Sequence, residues 1–474
     1  MRTLETDVAV IGAGTAGLAA YRAVKSAGRH ALLIEGGPYG TTCARVGCMP
    51  SKLLIAPAEA AHTIERFPGF GLRLDGQVEV DGKAVMARVR SERDRFVGFV
   101  IRSVERIPSA DKVIGRARFL DDHTLVVAAA TAAEPHTTIR AARVVIATGS
   151  SPAFPPAWSS LADRLVTNDD VFEWDDLPES VAVFGPGVIG LELGQALHRL
   201  GVRVKIFGRG GGVGPLTDPA VLDEARRVLG AELYLDTDAR ADVALDGDRV
   251  AVRFRTLDGH ERTERFDYLL AATGRRPNLQ GLDLARTSLA LDAAGVPVFD
   301  RHTLRAGNSS IFIAGDANNE VPLLHEAADE GRIAGSNAAR YPDVRPGLRR
   351  AGLGVVFTDP QIAIVGGGYA AAREIPHVTG VVSFEDQGRS RVMLRNHGVL
   401  HVYAEIATGR FLGAEMLGPD AEHIGHLLAW SRQMNLAIEQ MLEMPFYHPV
   451  VEEGLRTALR DAQAKLEAAQ KRAA

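Results

Sequence analysis

Two cysteines have the spacing in this sequence that most directly suggests chemistry. Cys43 and Cys48 are the only cysteines among the 474 residues, and four residues separate them. Chain entropy gives only about 2 kcal/mol for closing so small a ring, so a structural bridge here would stabilise little. Three interpretations stay open, namely a redox-active pair, two buried thiols or metal ligands. Metal is the least favoured, because a structural zinc site needs four ligands and no histidine lies nearby.

A histidine and a glutamate near the end of the sequence form a second candidate. His448 precedes Pro449, and Glu453 follows five residues after the histidine. Histidine titrates near neutral pH, and a carboxylate can fix its tautomer and stabilise the imidazolium. Taken alone, the pattern is better explained by an exposed histidine in a proline turn.

The elements that must position these residues come from an internal repeat. The pattern of residues 8–18 recurs at 181–191, and each copy has a short apolar run, G-x-G-x-x-G and then a helical pattern. In such a loop the first glycine permits a tight turn, the second lets a pyrophosphate approach, and the third lets the helix pack on the strand. We predict two Rossmann-type dinucleotide sites, with helices over 18–27 and 191–200. The loop glycines are Gly12, Gly14 and Gly17 in the first copy and Gly185, Gly187 and Gly190 in the second.

The two copies differ where an acidic residue is expected to bind an adenosine ribose. In the first copy Glu35 stands 18 positions after Gly17, and the same offset from Gly190 falls on Gly208, followed by Arg209. The guanidinium of Arg209 could bind the 2′-phosphate of NADP. The second site is therefore expected to prefer NADP or to accept both nucleotides. Arg209 could instead be solvated, because it lies in a glycine-rich turn.

Further strand-and-glycine patterns fit two dinucleotide domains. Thr148-Gly149 and Gly274 each follow an apolar run, and Gly315-Asp316 ends another with a carboxylate that could bind a sugar hydroxyl. Breaks are expected at 152–156, 277–278 and 342–352. We also predict a long amphipathic helix over 86–107 and a frayed helix after Leu459.

Composition excludes several other classes of protein. The net charge is −5, hydrophobic residues make up 46%, and no long basic block occurs, so neither nucleic acid nor an anionic membrane is favoured as a partner. The longest apolar run is shorter than the ~20 residues that span a bilayer. The N-terminal residues are unlike a signal peptide, and a cytoplasmic location is expected.

The segment 40–52, GTTCARVGCMPSK, resembles the redox-active disulfide motif of the flavoprotein disulfide reductases, the class I pyridine nucleotide-disulfide oxidoreductases. With the two glycine motifs, Gly315-Asp316 and the His448–Glu453 pattern, the resemblance covers nearly the whole chain and is greatest to the dihydrolipoamide dehydrogenase branch. It implies an α/β fold with two Rossmann-like domains and a C-terminal α+β dimerisation domain. The FAD domain would cover 1–150 and 277–348, the NAD(P) domain 151–276, and the interface domain 349–474.

The resemblance also assigns roles to residues. Cys43 would be the interchange thiol and Cys48 the thiolate facing the flavin, the two forming a redox disulfide. Lys52 would pair with Glu192 near the flavin. His448 would take the proton of the substrate thiol, and Glu453 would fix its tautomer. In the family this pair comes from the second subunit, which implies a homodimer. The FAD site would comprise Gly12, Gly14, Gly17, Glu35, Lys52, Thr148, Gly149, Gly315 and Asp316, and the NAD(P) site Gly185, Gly187, Gly190, Gly208, Arg209 and Gly274.

The function that follows is oxidation of protein-bound dihydrolipoyl groups, with FAD and NAD as cofactors, NADP as an option, and a lipoyl-bearing protein as partner. An NADPH-dependent reductase of a small disulfide is the alternative enzyme. A non-catalytic redox-sensing flavoprotein is the alternative of another class. Mercuric and large thioredoxin reductases are disfavoured, because they need a second cysteine or selenocysteine pair.

The sequence departs from the family pattern at Arg45, Met49, Val450 and Pro186.

Overall fold

The computed structural model describes residues 2–128 and 137–473, and the chain divides into two compact units. Unit one comprises Met1–Pro50, Arg90–Ala153 and Arg275–Arg349, and unit two comprises Ser51–Val89, Phe154–Gly274 and Arg350–Ala474. Each unit has its own buried apolar clusters. The division into three domains stays a prediction.

Helices and strands alternate in parts of the chain, and runs of consecutive strands lie between those parts. In chain order the strands are β1 (Arg2–Ile11), β2 (Ala31–Glu35), β3 (Lys112–Ile114), β4 (Arg116–Asp121), β5 (Thr124–Ala128), β6 (Thr137–Ile146), β7 (Ser150–Pro152), β8 (Leu165–Val166), β9 (Ser180–Phe184), β10 (Arg203–Phe207), β11 (Tyr234–Asp236), β12 (Ala241–Asp246), β13 (Arg249–Arg255), β14 (Glu261–Phe266), β15 (Tyr268–Ala271), β16 (Arg275–Pro277), β17 (Ile311–Ile313), β18 (Leu353–Val356), β19 (Gln361–Val365), β20 (His377–Ser383), β21 (Val399–Glu405) and β22 (Phe411–Gly418). The helices are α1 (Thr15–Ser26), α2 (Thr42–Val46), α3 (Cys48–Thr63), α4 (Gly82–Glu105), α5 (Asn168–Val171), α6 (Val188–Arg199), α7 (Pro219–Glu232), α8 (Leu324–Arg340), α9 (Gly368–Ala372), α10 (Gly388–Val392), α11 (Ala421–Gln433), α12 (Ile438–Leu442) and α13 (Glu453–Ala473).

The main sheet of unit one has the order β3-β2-β1-β6-β5-β4, with β17 also paired to β6. β1 runs parallel to β2 and β6, whereas β4 and β5 form an antiparallel extension. The apolar ends of β1 and β2 are buried, as expected for parallel strands covered on both faces. Gly331 and Gly335 of α8 let that helix pack directly on α1, since a Cβ at either position would lie 2.1–2.4 Å from the backbone of Ala16 or Ala20.

Unit two contains a parallel sheet of order β11-β10-β9-β15-β8 and an antiparallel sheet β12-β13-β14. A further antiparallel sheet has the order β18-β19-β22-β21-β20 and packs against α11 and α13. The α/β class predicted from the sequence is confirmed. No helix among the described residues is long and apolar enough to span a membrane.

The two helices that follow the glycine loops begin earlier than predicted. They start at Thr15 and Val188 rather than at residues 18 and 191, so Gly17 and Gly190 lie inside them. Glycine disfavours helix interiors, so residue propensity alone places these helix starts after it. Close packing on the preceding loop overrides that preference. The long helix likewise covers Gly82–Glu105 instead of 86–107.

The helix predicted after Leu459 is present, but it starts earlier and is packed rather than frayed. The last helix, α13, begins at Glu453 and packs on β20, with Leu459, Ala462 and Leu466 buried. An apolar stripe at helical spacing, hidden within an alanine- and lysine-rich segment, anchors it to the sheet.

Candidate active site

The cysteine pair lies where two helices meet in unit one. Cys43 belongs to the short helix α2, whose start is capped by the Thr41 hydroxyl, an acceptor for the Ala44 N–H at 3.3 Å. Cys48 is the first residue of α3 and is exposed, whereas Cys43 is half-buried. The N-terminus of a helix favours the thiolate form of a cysteine there. This position suits Cys48 to leave as a thiolate from a disulfide.

The first glycine loop has the shape of a cradle for a pyrophosphate. Gly12 has φ +106°, and a Cβ there would lie 2.3 Å from the Ala147 carbonyl oxygen. A Cβ on Gly17 would lie 1.8 Å from the Gly12 carbonyl oxygen. Gly14, in contrast, has no atom within 4 Å of its Cβ position, so a ligand can approach the backbone at that point.

The donors around this loop fit the FAD that the resemblance implies. The start of α1 has neither a side-chain cap nor an acidic residue in its first turn, which leaves N–H groups for an anion. The buried Thr148 hydroxyl lacks a hydrogen-bond partner within the described residues. The Glu35 carboxylate accepts hydrogen bonds from the N–H groups of Ala13 and Gly37, each at 2.7 Å. The loop therefore holds this carboxylate in place.

The Gly315-Asp316 turn is held by charged residues that the sequence analysis missed. Asp316 Oδ2 accepts a hydrogen bond from the Ser150 hydroxyl at 2.7 Å. The Gly315 N–H donates to Glu330 Oε2 at 2.7 Å, and Arg349 pairs with the other oxygen of Glu330 at 2.8 Å. Burial raises the pKa of Glu330, although Arg349 and the hydrogen bonds oppose it. The sequence carries no local signal of these contacts.

The second glycine loop repeats the first in backbone form. Gly185 has φ +108° with its Cβ position 2.2 Å from the Ala272 carbonyl oxygen, and a Cβ on Gly190 would lie 1.9 Å from the Gly185 carbonyl oxygen. Gly187 and Gly274 have no atom within 4 Å of their Cβ positions. The start of α6 again has no side-chain cap and no acidic residue. These features fit the NAD(P) that the resemblance implies.

Lys52 and Glu192 form an ion pair inside unit two. Lys52 Nζ lies 2.9 Å from Glu192 Oε1 and 2.8 Å from Oε2. The Phe357 N–H also donates to Oε1 at 3.0 Å, and Lys52 Nζ lies 4.4 Å above the Phe357 ring. Phe357 was missed by the sequence analysis, since nothing in its local sequence marks it. Phe357 therefore contacts both residues of the ion pair, Glu192 through its N–H and Lys52 through its ring.

His448 and Glu453 form a second pair at the start of α13. His448 Nδ1 lies 2.9 Å from Glu453 Oε2, and the histidine side chain is 81% exposed. Desolvation acts to raise the pKa of Glu453, but the hydrogen bond and charge of His448 outweigh it and hold this pKa below its ordinary value. Arg456 donates to the other carboxylate oxygen at 2.7 Å. Its i,i+3 spacing from Glu453 is a signal that sequence analysis could have used.

The structure thus groups the candidate residues in two sets. Unit one contains the cysteines, the first glycine loop, Glu35, Thr148-Gly149 and Gly315-Asp316. Unit two contains Lys52, Glu192, the second glycine loop with Gly208, Arg209 and Gly274, and the His448–Glu453 pair.

Comparison with known protein families gives matches over most of the chain. Residues 6–331 match the pyridine nucleotide-disulphide oxidoreductase model, and residues 353–459 match the dimerisation domain of the pyridine nucleotide-disulphide oxidoreductases.

Individual relatives match the chain over nearly its whole length. A dihydrolipoyl dehydrogenase of Haloferax volcanii is 31% identical and covers 96% of this chain and 96% of its own. A mercuric reductase of Acidithiobacillus ferrooxidans is 30% identical over 96% of this chain and 82% of its own. Among solved structures, the HOCl-induced flavoprotein disulfide reductase RclA of Escherichia coli, as its Cu(II) complex, superposes with a TM-score of 0.81 at 22% identity, over 97% of this chain and 99% of its own. At 22% identity, the similarity to RclA shows a common fold and nothing more.

Proposed function

This chain belongs to the pyridine nucleotide-disulphide oxidoreductase family, and we propose that it acts in that family as a dihydrolipoyl dehydrogenase. As a member of the family it is an FAD-dependent oxidoreductase that uses NAD(P). Relatives named dihydrolipoyl dehydrogenase and mercuric reductase are about equally similar to it. The choice between these activities therefore rests on the site.

The His448–Glu453 pair is the observation that carries the proposal. A dithiol substrate must lose a proton before its sulfur can attack a disulfide. Glu453 accepts the Nδ1–H of His448, which leaves Nε2 of an 81% exposed ring to take that proton. Both cysteines of this sequence lie in one motif, whereas a mercuric reductase is expected to need a further cysteine pair for its metal.

The proposed exchange begins with Cys43 and Cys48 joined as a disulfide. One substrate sulfur, its proton passed to His448, attacks Cys43 Sγ, and the bond to Cys48 breaks with Cys48 leaving as a thiolate. His448 gives the first proton to the leaving Cys43 sulfur and takes the proton of the second substrate thiol, whose sulfur attacks the first substrate sulfur. Cys43 leaves as a thiol, His448 keeps the second proton, and the substrate becomes a cyclic disulfide. The dithiol has lost two electrons and two protons, and the cysteine pair has gained the two electrons.

Other residues would bind the flavin and support electron transfer from the cysteine pair to NAD(P)⁺. When bound, FAD supplies the two-electron step between the reduced cysteine pair and NAD(P)⁺. We propose that Lys52, held by Glu192, places a fixed positive charge beside the flavin. Glu35 and Asp316 would hold ribose and ribitol hydroxyls. We also propose a homodimer in which His448 of the partner subunit serves each cysteine pair, with a lipoyl-bearing protein as substrate.

An anaerobic experiment on the FAD-loaded protein tests this function. We would add dihydrolipoamide, follow the flavin spectrum, and then add NAD⁺ or NADP⁺ in separate runs. We expect a new long-wavelength absorbance with dihydrolipoamide, followed by nicotinamide reduction. Cys48→Ser should abolish both signals, whereas Cys43→Ser should keep the Cys48 thiolate but lose turnover. No spectral change with dihydrolipoamide, together with rapid reduction by NADPH, would reject the proposal.

One observation favours a second candidate, an NADPH-dependent reductase of a small disulfide. Gly208 and Arg209 stand where the first loop has Glu35, which we propose binds a ribose, and its neighbour Gly36. Oxidation of NADPH by glutathione disulfide, faster than NAD(P)⁺ reduction by dihydrolipoamide, would identify this activity.

A further inference from the structure

The exposed ring of His448 depends on the turn that carries it. Within the part of the chain that the structure describes, Glu453 is the hydrogen-bond partner of the ring, and the side chain is 81% exposed. Few side chains can therefore pack against the imidazole and fix its place. Its position relative to the carboxylate is set by the backbone of the turn 448–453, which leads from Pro449 into α13.

The Val450 carbonyl lies in the middle of this turn and has two donors. The Glu453 N–H donates to it at 3.4 Å, and Gln387 Nε2 donates to it at 2.8 Å. Desolvation acts to raise the pKa of Glu453, but the hydrogen bond and charge of His448, with a hydrogen bond from the Val450 backbone, keep it below its ordinary value. Val450 therefore joins Gln387 to the carboxylate that holds the histidine.

The amide of Gln387 can take only one orientation in this network. Gln387 caps the start of α10, since its Oε1 accepts the Ser390 N–H at 2.7 Å and the Ser390 hydroxyl at 2.7 Å. A backbone N–H can only donate, so the amide oxygen must face Ser390 and the NH₂ group must face Val450. Ser390 is fully buried, which fixes this end of the amide. The start of α13 packs on the same residue, because a Cβ on Gly454 would lie 3.6 Å from Gln387 Cγ.

We propose that Gln387 is a positioning residue for the catalytic base. Its amide holds the Val450 carbonyl and thereby the turn that keeps the imidazole against Glu453. A general base must meet the thiol proton with its free nitrogen correctly aimed, and small displacements lower the rate strongly. The inference rests on the proposed role of His448 as that base. Local sequence does not mark Gln387, because 63 residues separate it from Val450.

Gln387→Glu tests the proposal most directly, because a carboxylate still caps Ser390 but has no hydrogen to donate to the Val450 carbonyl. Nitrogen NMR of histidine-labelled, FAD-loaded protein at alkaline pH reads the tautomer of His448 without any substrate, and His448→Gln assigns the signal. In the unaltered protein we expect the proton on Nδ1, where Glu453 accepts it, and in Gln387→Glu a mixture of both tautomers. An unchanged tautomer in Gln387→Glu overturns the proposal.

Stopped-flow reduction of the FAD-loaded protein measures the consequence for the reaction. In Gln387→Glu the rate constant for reduction by dihydrolipoamide should fall about tenfold, while the dithiol concentration that gives half the maximal rate changes less than about twofold. The acid limb should move to higher pH, because a looser contact with His448 lets the pKa of Glu453 rise. Reduction by NADH should keep its rate, since it transfers no thiol proton.

Two further variants separate positioning from a general loss of stability. Gln440→Glu makes the same change at an exposed residue of α12, whose Oε1 accepts the Ala437 N–H at 2.9 Å, and should alter neither measurement. Gln387→Met also removes the donor, and it replaces Gln387→Glu if that variant fails to fold. Equal slowing of the dithiol and NADH reactions overturns the proposal, as does no slowing in either variant. If dihydrolipoamide does not reduce the unaltered protein, the proposed function fails, and the tautomer still decides whether Gln387 holds the pair.

Discussion

Two histidine–carboxylate pairs in unit two have nearly the same geometry and opposite surroundings. His401 Nδ1 lies 2.8 Å from Asp218 Oδ2, and His448 Nδ1 lies 2.9 Å from Glu453 Oε2. The His401 side chain is 10% exposed and that of His448 is 81% exposed. A short contact between imidazole and carboxylate is thus no mark of catalysis by itself, because only the exposed ring can reach a substrate.

The buried pair is part of a network that joins two elements of unit two. Asp218 caps the start of α7, accepting a hydrogen bond from the Ala220 N–H at 2.9 Å. The Tyr403 hydroxyl donates to the same oxygen as His401, at 2.8 Å. His401 and Tyr403 lie on β21. This network ties the helix to the antiparallel sheet, a structural task that requires burial.

The largest effect that we predict comes from the exposed pair. His448→Gln should lower kcat/KM for the dithiol by about 10²- to 10⁴-fold, because a general base is lost. The free energy of unfolding should stay within about 0.5 kcal/mol, since the side chain is exposed. Steady-state kinetics and urea denaturation measure the two quantities. A large loss of stability with normal turnover would reverse the roles assigned to the two histidines.

A substitution in the buried pair should lower stability and leave turnover nearly unchanged. His401→Leu leaves the Asp218 carboxylate buried without one of its donors and should cost about 1–3 kcal/mol of stability. The kcat/KM of the folded protein should change by less than about twofold, as the ring reaches no substrate. Urea denaturation at neutral pH, with His397→Leu on an exposed neighbouring residue as the control, measures the loss. Equal effects of the two substitutions would show that burial of His401 is unimportant.

Acid should weaken the buried pair within a defined pH range. Burial acts to raise the pKa of Asp218, but the hydrogen bond and charge of His401, with the hydroxyl of Tyr403, lower it from 3.8 to about 2. Because the folded-state pKa lies below the unfolded one, the ionised carboxylate stabilises the fold above about pH 4, and this contribution is lost as pH falls toward 2. The difference in unfolding free energy between the unaltered protein and Asp218→Asn should therefore shrink over this range. A constant difference would contradict the assigned pKa.

The smallest effect that we predict comes from Arg456, which donates to Glu453 of the exposed pair. Arg456→Gln should lower kcat/KM by no more than about fivefold, as expected for a partly exposed ion pair. The acid limb of its pH profile should move to higher pH, since Arg456 helps to hold the pKa of Glu453 below its ordinary value and its removal raises that pKa. Arg456→Lys should keep the limb in place, and Arg460→Gln, one turn further along α13, is the control. An unmoved limb in Arg456→Gln would show that Arg456 has only a structural role.

Much of the fold and of the candidate site could be predicted because it depends on local pattern. The glycine loops require positive φ or close approach at fixed positions, and the sequence marks them through residue type alone. The two helices after the glycine loops start three residues earlier than predicted, because packing on the loop overrides the low helix propensity of glycine. The supporting residues Phe357 and Glu330 were not predicted, since their contacts join distant segments.

By itself the sequence determined the chemistry that is available: two thiols in one motif, two glycine loops, and a histidine with a glutamate five residues on. Each of these is set by residue type and short spacing. Only the tertiary structure decided how the parts are held. It joined Lys52 to Glu192 across 140 residues, buried His401 while leaving His448 exposed, and tied Gln387 to Val450. The physical reason is that burial and long-range contact depend on how whole elements pack, which no short window of sequence contains.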